Sequence, residues 1–257
     1  ELRKIRGSKI AMIFQDPMSC LNPVYTIGDQ LAESAQMHLG LPYDAALYAA
    51  KETMEAVGIA NAAERLFAYP HQLSGGIKQR VMIAMALLCD PDILIADEPT
   101  TALDVTVQAQ VLELFQTIQK KRNLAILLIT HDMGVVANMA DEVMVMYAAQ
   151  GVEKGKKQEL LARPAHPYTL GLFQSIPCME RQKKTLKPIA GQVPSFHQLP
   201  KGCRFQPRCP YAMPKCLQKE PPKFFLNKNS SHHALCWLHD GSPESQPLLE
   251  KMQKEQY

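Results

Sequence analysis

The chain of 257 residues is poor in aromatics, which make up 7% of it, and holds one tryptophan. A single-stranded nucleic-acid groove is built from aromatics interleaved with clustered Lys and Arg, and no such stretch is present. Neither charge dominates: 28 Lys and Arg stand against 25 Asp and Glu, a net +3, and the basic residues are scattered as on an ordinary solvated surface. No apolar run approaches the ~20 residues that span a bilayer, and no signal peptide opens the chain. It begins at Glu1 without an initiator Met, and no glycine-rich phosphate loop precedes Gln15.

What is present is a strand-and-helix alternation. Lys9–Phe14 is a short apolar run that predicts a strand ending at Gln15, followed by a proline-bearing loop over Asp16–Pro23. Tyr25–Leu39 and Tyr43–Val57 have helical periodicity, separated by Gly40-Leu41-Pro42. Ser74 is an N-cap residue for a helix over about Gly76–Cys89. Ile93–Ala96 is continuously apolar and bounded by acids, which predicts a parallel strand buried on both faces. Helix over Asp104–Arg122, strand over Leu124–Ile129, helix over Met133–Ala140 and strand over Glu142–Tyr147 follow. This order predicts a layered α/β sheet. Beyond Arg163 prolines multiply and periodicity fades, apart from a short helix at Tyr168–Ile176, so the sequence divides into 1–176 and a loop-rich extension, 177–257. Such a small, apolar-poor extension needs a staple.

The candidate chemistry lies at the strand ends. Asp97 and Glu98 close the strand Ile93–Ala96 and point to opposite sides, so their roles differ. Asp97 would hold Mg²⁺ through its water shell, and Glu98 would polarise the water that attacks a γ-phosphate. Ser74, Gly75 and Gly76 open a helix whose free N–H groups suit a phosphate, the glycines admitting close backbone approach. His131, 34 residues beyond Asp97, follows the next strand and suits holding the attacking water in line. Gln15 ends the first strand and would touch Mg²⁺ or that water through its amide oxygen. Asp104 sits past a tight turn and organises geometry. Read one by one, each is also an ordinary polar strand end or helix cap; their order and spacing carry the reading.

These segments resemble a known family. FQDP (Phe14–Pro17), LSGG with KQR (Leu73–Arg80), LIADEPTTALD (Leu94–Asp104) and ITHD (Ile129–Asp132) resemble the Q-loop, signature motif, Walker B with D-loop, and switch histidine of ATP-binding-cassette ATPases. PMSCLNPVYTIGDQL, YPHQLSGG, HPYTLGL and LPKGCRFQPRCPYAMPKC are similar to the dipeptide/oligopeptide-importer branch. The resemblance implies a P-loop NTPase-like α/β domain, lacking its N-terminal Walker A part, with a helical subdomain over about 16–90. It implies ATP and Mg²⁺ as ligands, Glu98 and His131 as catalytic groups, and nucleotide contacts from Gln15, Ser74, Gly75, Gly76, Asp97 and Asp104. It also implies a head-to-tail partner ATPase, two membrane permease subunits facing about Asp16–Val57, a peptide-binding protein, and a place on the cytoplasmic face of the bacterial inner membrane. No nucleic acid is implied. The chain is accordingly expected to be the back part of a longer subunit, with little ATP affinity alone. Related importers of nickel or antimicrobial peptides, and a non-hydrolysing partner subunit, remain open. An ATP-binding-cassette protein acting on DNA or ribosomes would show a coiled-coil insertion or basic arm, and neither is seen. Ala148-Ala149 stands where the family has Ala-Gly, which would strain a turn.

Of seven cysteines, Cys203, Cys209, Cys216 and Cys236 cluster, with gaps of five, six and nineteen residues stiffened by Pro207, Pro210 and Pro214. Four thiolates can hold Zn²⁺ or a [4Fe–4S] cluster. The gaps exceed those usual for zinc pairs, and the branch resemblance points the same way, to iron–sulfur. His232, His233 and His239 keep a mixed Cys/His zinc site open. His166-Pro167-Tyr168 reads as a structural turn.

Overall fold

A computed structural model describes residues 1–16, 20–101, 103–175, 188–227 and 231–255. They fall into two compact units, Glu1–Met139 and Ala140–Tyr257. The division lies ahead of the boundary read from the sequence at about Ile176, a residue outside those described. Proline density marks where regular structure thins. The packing division comes earlier because the strands after Ala140 pair with the tail.

The first unit is built on three parallel strands in the order β1-β2-β3: β1 (Ile10–Ile13), β2 (Ile93–Asp97) and β3 (Ala125–Ile129). Ile10 pairs with Ile93 and Ile93 with Ala125, and the register runs on to Asp97 opposite Ile129. Between β1 and β2 come helices α1 (Ile27–Leu39), α2 (Tyr43–Ala56) and α3 (Gly75–Leu87); α4 (Val105–Arg122) precedes β3 and α5 (Met133–Met139) follows it. Thr26 accepts the Asp29 N–H at the start of α1, and Gly40 ends that helix at φ +67°. Asp104 accepts the Val107 N–H at the start of α4. The apolar stripes of α1 (Ile27, Leu31, Ala35) and α2 (Ala46, Ala50, Met54) close on α3, most of whose side chains are buried. Ala11, Ile13, Leu94 and Ala96 bury the sheet face that packs into this core.

The expectation that β2 is buried on both faces is corrected: its burial alternates. The other face of the sheet presents Met12, Phe14, Ile93, Leu127 and Ile129 to solvent, with Leu127 at 55% exposure. Parallel strands are apolar on both sides because both faces are normally covered by helices. Here the described residues cover one.

The second unit is a four-stranded antiparallel sheet of order β4-β5-β7-β6, with β4 (Glu142–Tyr147) and β5 (Gln150–Lys156) as a hairpin, then β6 (Phe224–Phe225) and β7 (His233–Ala234). Ala148 and Ala149 turn the hairpin at φ +45° and +60°, the conformation that the missing glycine would supply without strain. Helices α6 (Lys157–Ala162), α7 (Pro167–Gln174), α8 (Pro214–Gln218) and α9 (Ser245–Lys254) complete the unit. The His166 ring accepts the Tyr168 N–H and caps α7, with Pro167 at its first position, so the HPY triplet is a structural turn. Glu153 holds this unit together. It is 1% exposed, and its carboxylate accepts the Ala165 and His166 N–H groups at 2.8 and 2.9 Å. The Nε2 of His232 lies 2.8 Å from the same carboxylate.

Candidate active site

The C-terminal ends of parallel strands are where an open α/β sheet places its ligands. Gln15, Glu98 and His131 lie one or two residues beyond the ends of β1, β2 and β3, and the structure brings all three together. The Gln15 amide donates to Glu98 Oε2 at 2.8 Å, and His131 Nδ1 lies 2.8 Å from Glu98 Oε1. A fourth group, missed from the sequence, completes the set: the Thr101 hydroxyl donates to Glu98 Oε2 at 2.9 Å. Its signal was available, since a hydroxyl three residues beyond a carboxylate in a tight turn points back at it. These bonds, from His131 first and then Thr101, hold the Glu98 carboxyl below its ordinary value against a smaller effect of burial, so it is ionised at neutral pH.

The Glu98 backbone is itself unusual, at φ +44°. A non-glycine residue there costs on the order of 1–3 kcal/mol and persists only where its surroundings dictate it. Its N–H donates to Ile129 O at 2.8 Å, and its carbonyl accepts the Thr101 N–H at 3.1 Å. The side chain remains 21% accessible and that of His131 75% accessible, so the set opens to solvent.

Asp97 ends β2 on the alternation that carries Ile93 and Ile95, toward the open face of the sheet. Asp104 is a helix cap, in keeping with a role in geometry. Asp132 caps α5 by accepting the Gly134 N–H at 2.7 Å and takes the Gln108 amide at 3.1 Å, which fixes the turn behind His131. Ser74 stands at the N-cap position of α3, yet its hydroxyl does not cap its own helix. Among the described residues, no atom beyond its own neighbours and helix backbone lies within 4 Å of where a Gly75 Cβ would be, whereas Gly76 backs onto Val107. This helix end therefore presents backbone N–H groups, a hydroxyl that does not cap its own helix and clear space on one side. A cavity of about 220 Å³ lined by Ala11, Ile13, Cys20, His38, Met82 and Met85 lies apart from the set and contains none of its residues.

In the second unit the four cysteines share one core with Tyr211, Met213, Leu238 and Met252. The Cys203 N–H donates to Cys216 O at 2.9 Å. Gly202 is required there, because a Cβ would sit 2.2 Å from that carbonyl. Burial pushes the Cys209 thiol up to about 12 and that of Cys236 well above its ordinary value, and the neighbouring thiols add to both shifts. Even so, no group of three or more His, Cys, Asp or Glu among the described residues is placed to hold a metal ion. Each of the three histidines uses one ring nitrogen for another partner: His232 Nε2 lies 2.8 Å from Glu153 Oε1, His239 Nε2 lies 2.8 Å from Ala165 O, and His233 Nδ1 lies 2.9 Å from Ser231 O.

Known proteins carry the same organisation. Residues 1–101 match the family described as ABC transporter, and residues 152–216 match the one described as oligopeptide/dipeptide transporter, C-terminal region. The chain is 50% identical over 244 residues to the dipeptide transport ATP-binding protein DppD of Bacillus subtilis, covering 95% of this chain and 72% of that protein. It is 48% identical over 238 residues to the oligopeptide transport ATP-binding protein OppD of Haemophilus influenzae, covering 93% and 73%. Among solved structures, the ATP-binding cassette MJ0796 in a dimeric post-hydrolysis state bound to ADP and Pi superposes with a TM-score of 0.54 at 26% identity, over 61% of this chain and 66% of that one. No helix among the described residues is long and apolar enough to cross a membrane. By these matches the chain belongs to the ATP-binding-cassette family, in its branch of dipeptide and oligopeptide transport ATP-binding proteins.

Proposed function

We propose that this chain energises the import of di- and oligopeptides by hydrolysing Mg-ATP at the ends of β1–β3. The observation that carries this reading is the convergence of Gln15, Thr101 and His131 on the ionised Glu98 carboxylate. Bound Mg-ATP supplies a polarised γ-phosphorus and a leaving group. Glu98 accepts a hydrogen bond from the water that attacks it and takes up the proton as the new P–O bond forms. His131 and Thr101 keep that carboxylate aimed, and Gln15 ties it to the strand facing the transport partners. Asp97 is the Mg²⁺-side carboxylate. Ser74, Gly75 and Gly76 close over nucleotide held by a second ATPase, a reading supported by the Ser74 hydroxyl that makes no cap bond to its own helix and by the open space at Gly75 among the described residues. The apolar face around Leu127 and Phe14 supports packing of a phosphate-loop strand and helix against this sheet. Two permease subunits, a peptide-binding protein and the cytoplasmic face of the inner membrane complete the assembly.

Replacement of Glu98 by Gln in the complete transporter removes the proton acceptor and keeps the shape. ATP binding is retained, and turnover falls by roughly 10²–10⁴-fold, the span general-base groups supply. Turnover within tenfold of the unmodified complex would remove Glu98 from this role.

The four thiols are the proposed ligands of a metal centre, [4Fe–4S] ahead of Zn²⁺. The reading is supported by the donor set and by its burial in one core, and their present spacing does not yet form a ligand set. Burial raises the thiol pKa values of Cys203, Cys209 and Cys236, so a metal would have to displace those thiol protons. Anaerobic purification followed by metal analysis and absorption spectroscopy separates iron with sulfide, zinc alone, and no metal.

A further inference from the structure

We propose that Gln79 is a positioning residue for ATP hydrolysis: it holds the Pro99 carbonyl, and through that turn it keeps Glu98 aimed. The inference rests on the reading of Glu98 as the proton acceptor.

Gln79 lies in the second turn of α3, four residues after Gly75, and is 2% exposed. A buried amide without a partner is costly, so its placement has to be explained by what it binds. Its Nε2 donates to Pro99 O at 2.6 Å, across 20 residues of sequence. Pro99 is the residue after Glu98, and its ring fixes its own φ. Freedom in this turn therefore lies mainly at Glu98, which sits at φ +44°, and in the residues just after Pro99. On the strand side the Glu98 N–H is held by Ile129 O, while the turn side is closed by Thr101 N–H on Glu98 O. Gln79 is the side-chain anchor on the intervening carbonyl.

The helix that carries Gln79 is itself seated. The next residue, Arg80, donates to Val57 O and, at 3.2 Å, to Gln110 Oε1, tying α3 to the end of α2 and to α4. Gly58 is part of this seat, since a Cβ there would approach the Arg80 guanidinium to 2.8 Å. Gln79 thus connects a fixed helix to a strained turn. Without it, Glu98 loses a reason to stay in the left-handed region, and its carboxylate drifts from His131 and Thr101.

The test is made on the complete transporter, comparing Gln79→Met, which keeps the volume and removes the donor, with the unmodified complex. The expected result is a fall in kcat of roughly tenfold with KM for ATP unchanged, equivalent to ~1.4 kcal/mol of transition-state stabilisation. The acid limb of the kcat profile moves to higher pH, because Glu98 loses part of the hydrogen bonding that keeps it ionised. Combined with Thr101→Val, the loss is less than the product of the two single losses, because both act on the same carboxylate. If Gln79→Met does not assemble, Gln79→Leu, which also removes the donor and brings no titratable group into the buried site, is expected to show the same kcat loss. An unchanged kcat, or a loss carried wholly by KM with the acid limb fixed, overturns the inference. Turnover by a Glu98→Gln complex within about tenfold of the unmodified one would instead overturn the reading beneath it. A dead Glu98→Gln beside a normal Gln79→Met would overturn this inference alone.

Discussion

Glu153→Gln is the substitution on which the account of the second unit stands or falls. The Glu153 side chain is fully buried and serves three donors: Ala165 N–H and His232 Nε2 on Oε1, and His166 N–H on Oε2. Glutamine has the same shape but one oxygen fewer. Its best orientation keeps the oxygen at the doubly used Oε1 position and turns the amide nitrogen toward the His166 N–H. That leaves donor facing donor in a dry site, at a cost of ~1–3 kcal/mol, and weakens the two remaining bonds, since those to a charged group are worth ~1.5–3 kcal/mol and neutral ones about 1. The expected loss is about 3 kcal/mol. The sole tryptophan of the chain, Trp237, lies in this unit, with its indole N–H on Lys219 O and the Lys215 ammonium 4.0 Å above its ring. Its fluorescence therefore reports unfolding of this unit, and at an m-value of roughly 1–3 kcal/mol/M the urea midpoint should drop by ~1–3 M. A midpoint within about 0.3 M of the parent, equivalent to under ~1 kcal/mol, would show that Glu153 does not organise the HPY turn.

Three further outcomes follow from the same packing. Thr169 carries a buried hydroxyl with no hydrogen-bond partner among the described residues, so Thr169→Val should be neutral or stabilise by about 1 kcal/mol in the Trp237 urea assay; a loss of that size would mean that the hydroxyl has a partner. Ala149→Gly relieves ~1–2 kcal/mol of left-handed backbone against ~0.5–1 kcal/mol of added chain freedom, so thermal denaturation should show a net gain of roughly 0.5–1 kcal/mol. His166 is held neutral, its pKa lowered to about 4 by burial, whereas in the unfolded chain it is charged below about 6.5. The unfolded state therefore binds the extra proton between these values, and the second unit loses stability as pH falls through that window, by about 3 kcal/mol in all. His239, also lowered by burial, adds in the same direction. Urea midpoints that are flat from about pH 7.5 to about 4.5 would contradict that burial.

Much of the first unit was legible because its signals are local. Gly40, Asp104 and the apolar stripes of α1 and α2 act within one or two turns of chain, and the elements lie within a few residues of their predicted bounds. The site residues Gln15, Glu98 and His131 were legible as motifs at strand ends, because a parallel sheet gathers the ends of its strands whatever the intervening helices do. What the residues alone did not show depends on contacts between distant segments. Gln79 acts on the Glu98 turn through a bond that exists only once α3 and β2 are packed. The left-handed backbone of Glu98 is imposed by β3 and that turn, not by its own preference. The alternating burial of β2 could not be read from Ile93–Ala96, since an apolar strand looks the same whether one face is covered or two. In the tail, residue types pointed to a thiol cluster; packing places the four cysteines in one core, where no three metal-ligating groups among the described residues are placed to hold a metal ion. Only packing brought His232 to Glu153 and His239 to the Ala165 carbonyl, because a histidine takes whichever partner the fold brings within hydrogen-bond reach.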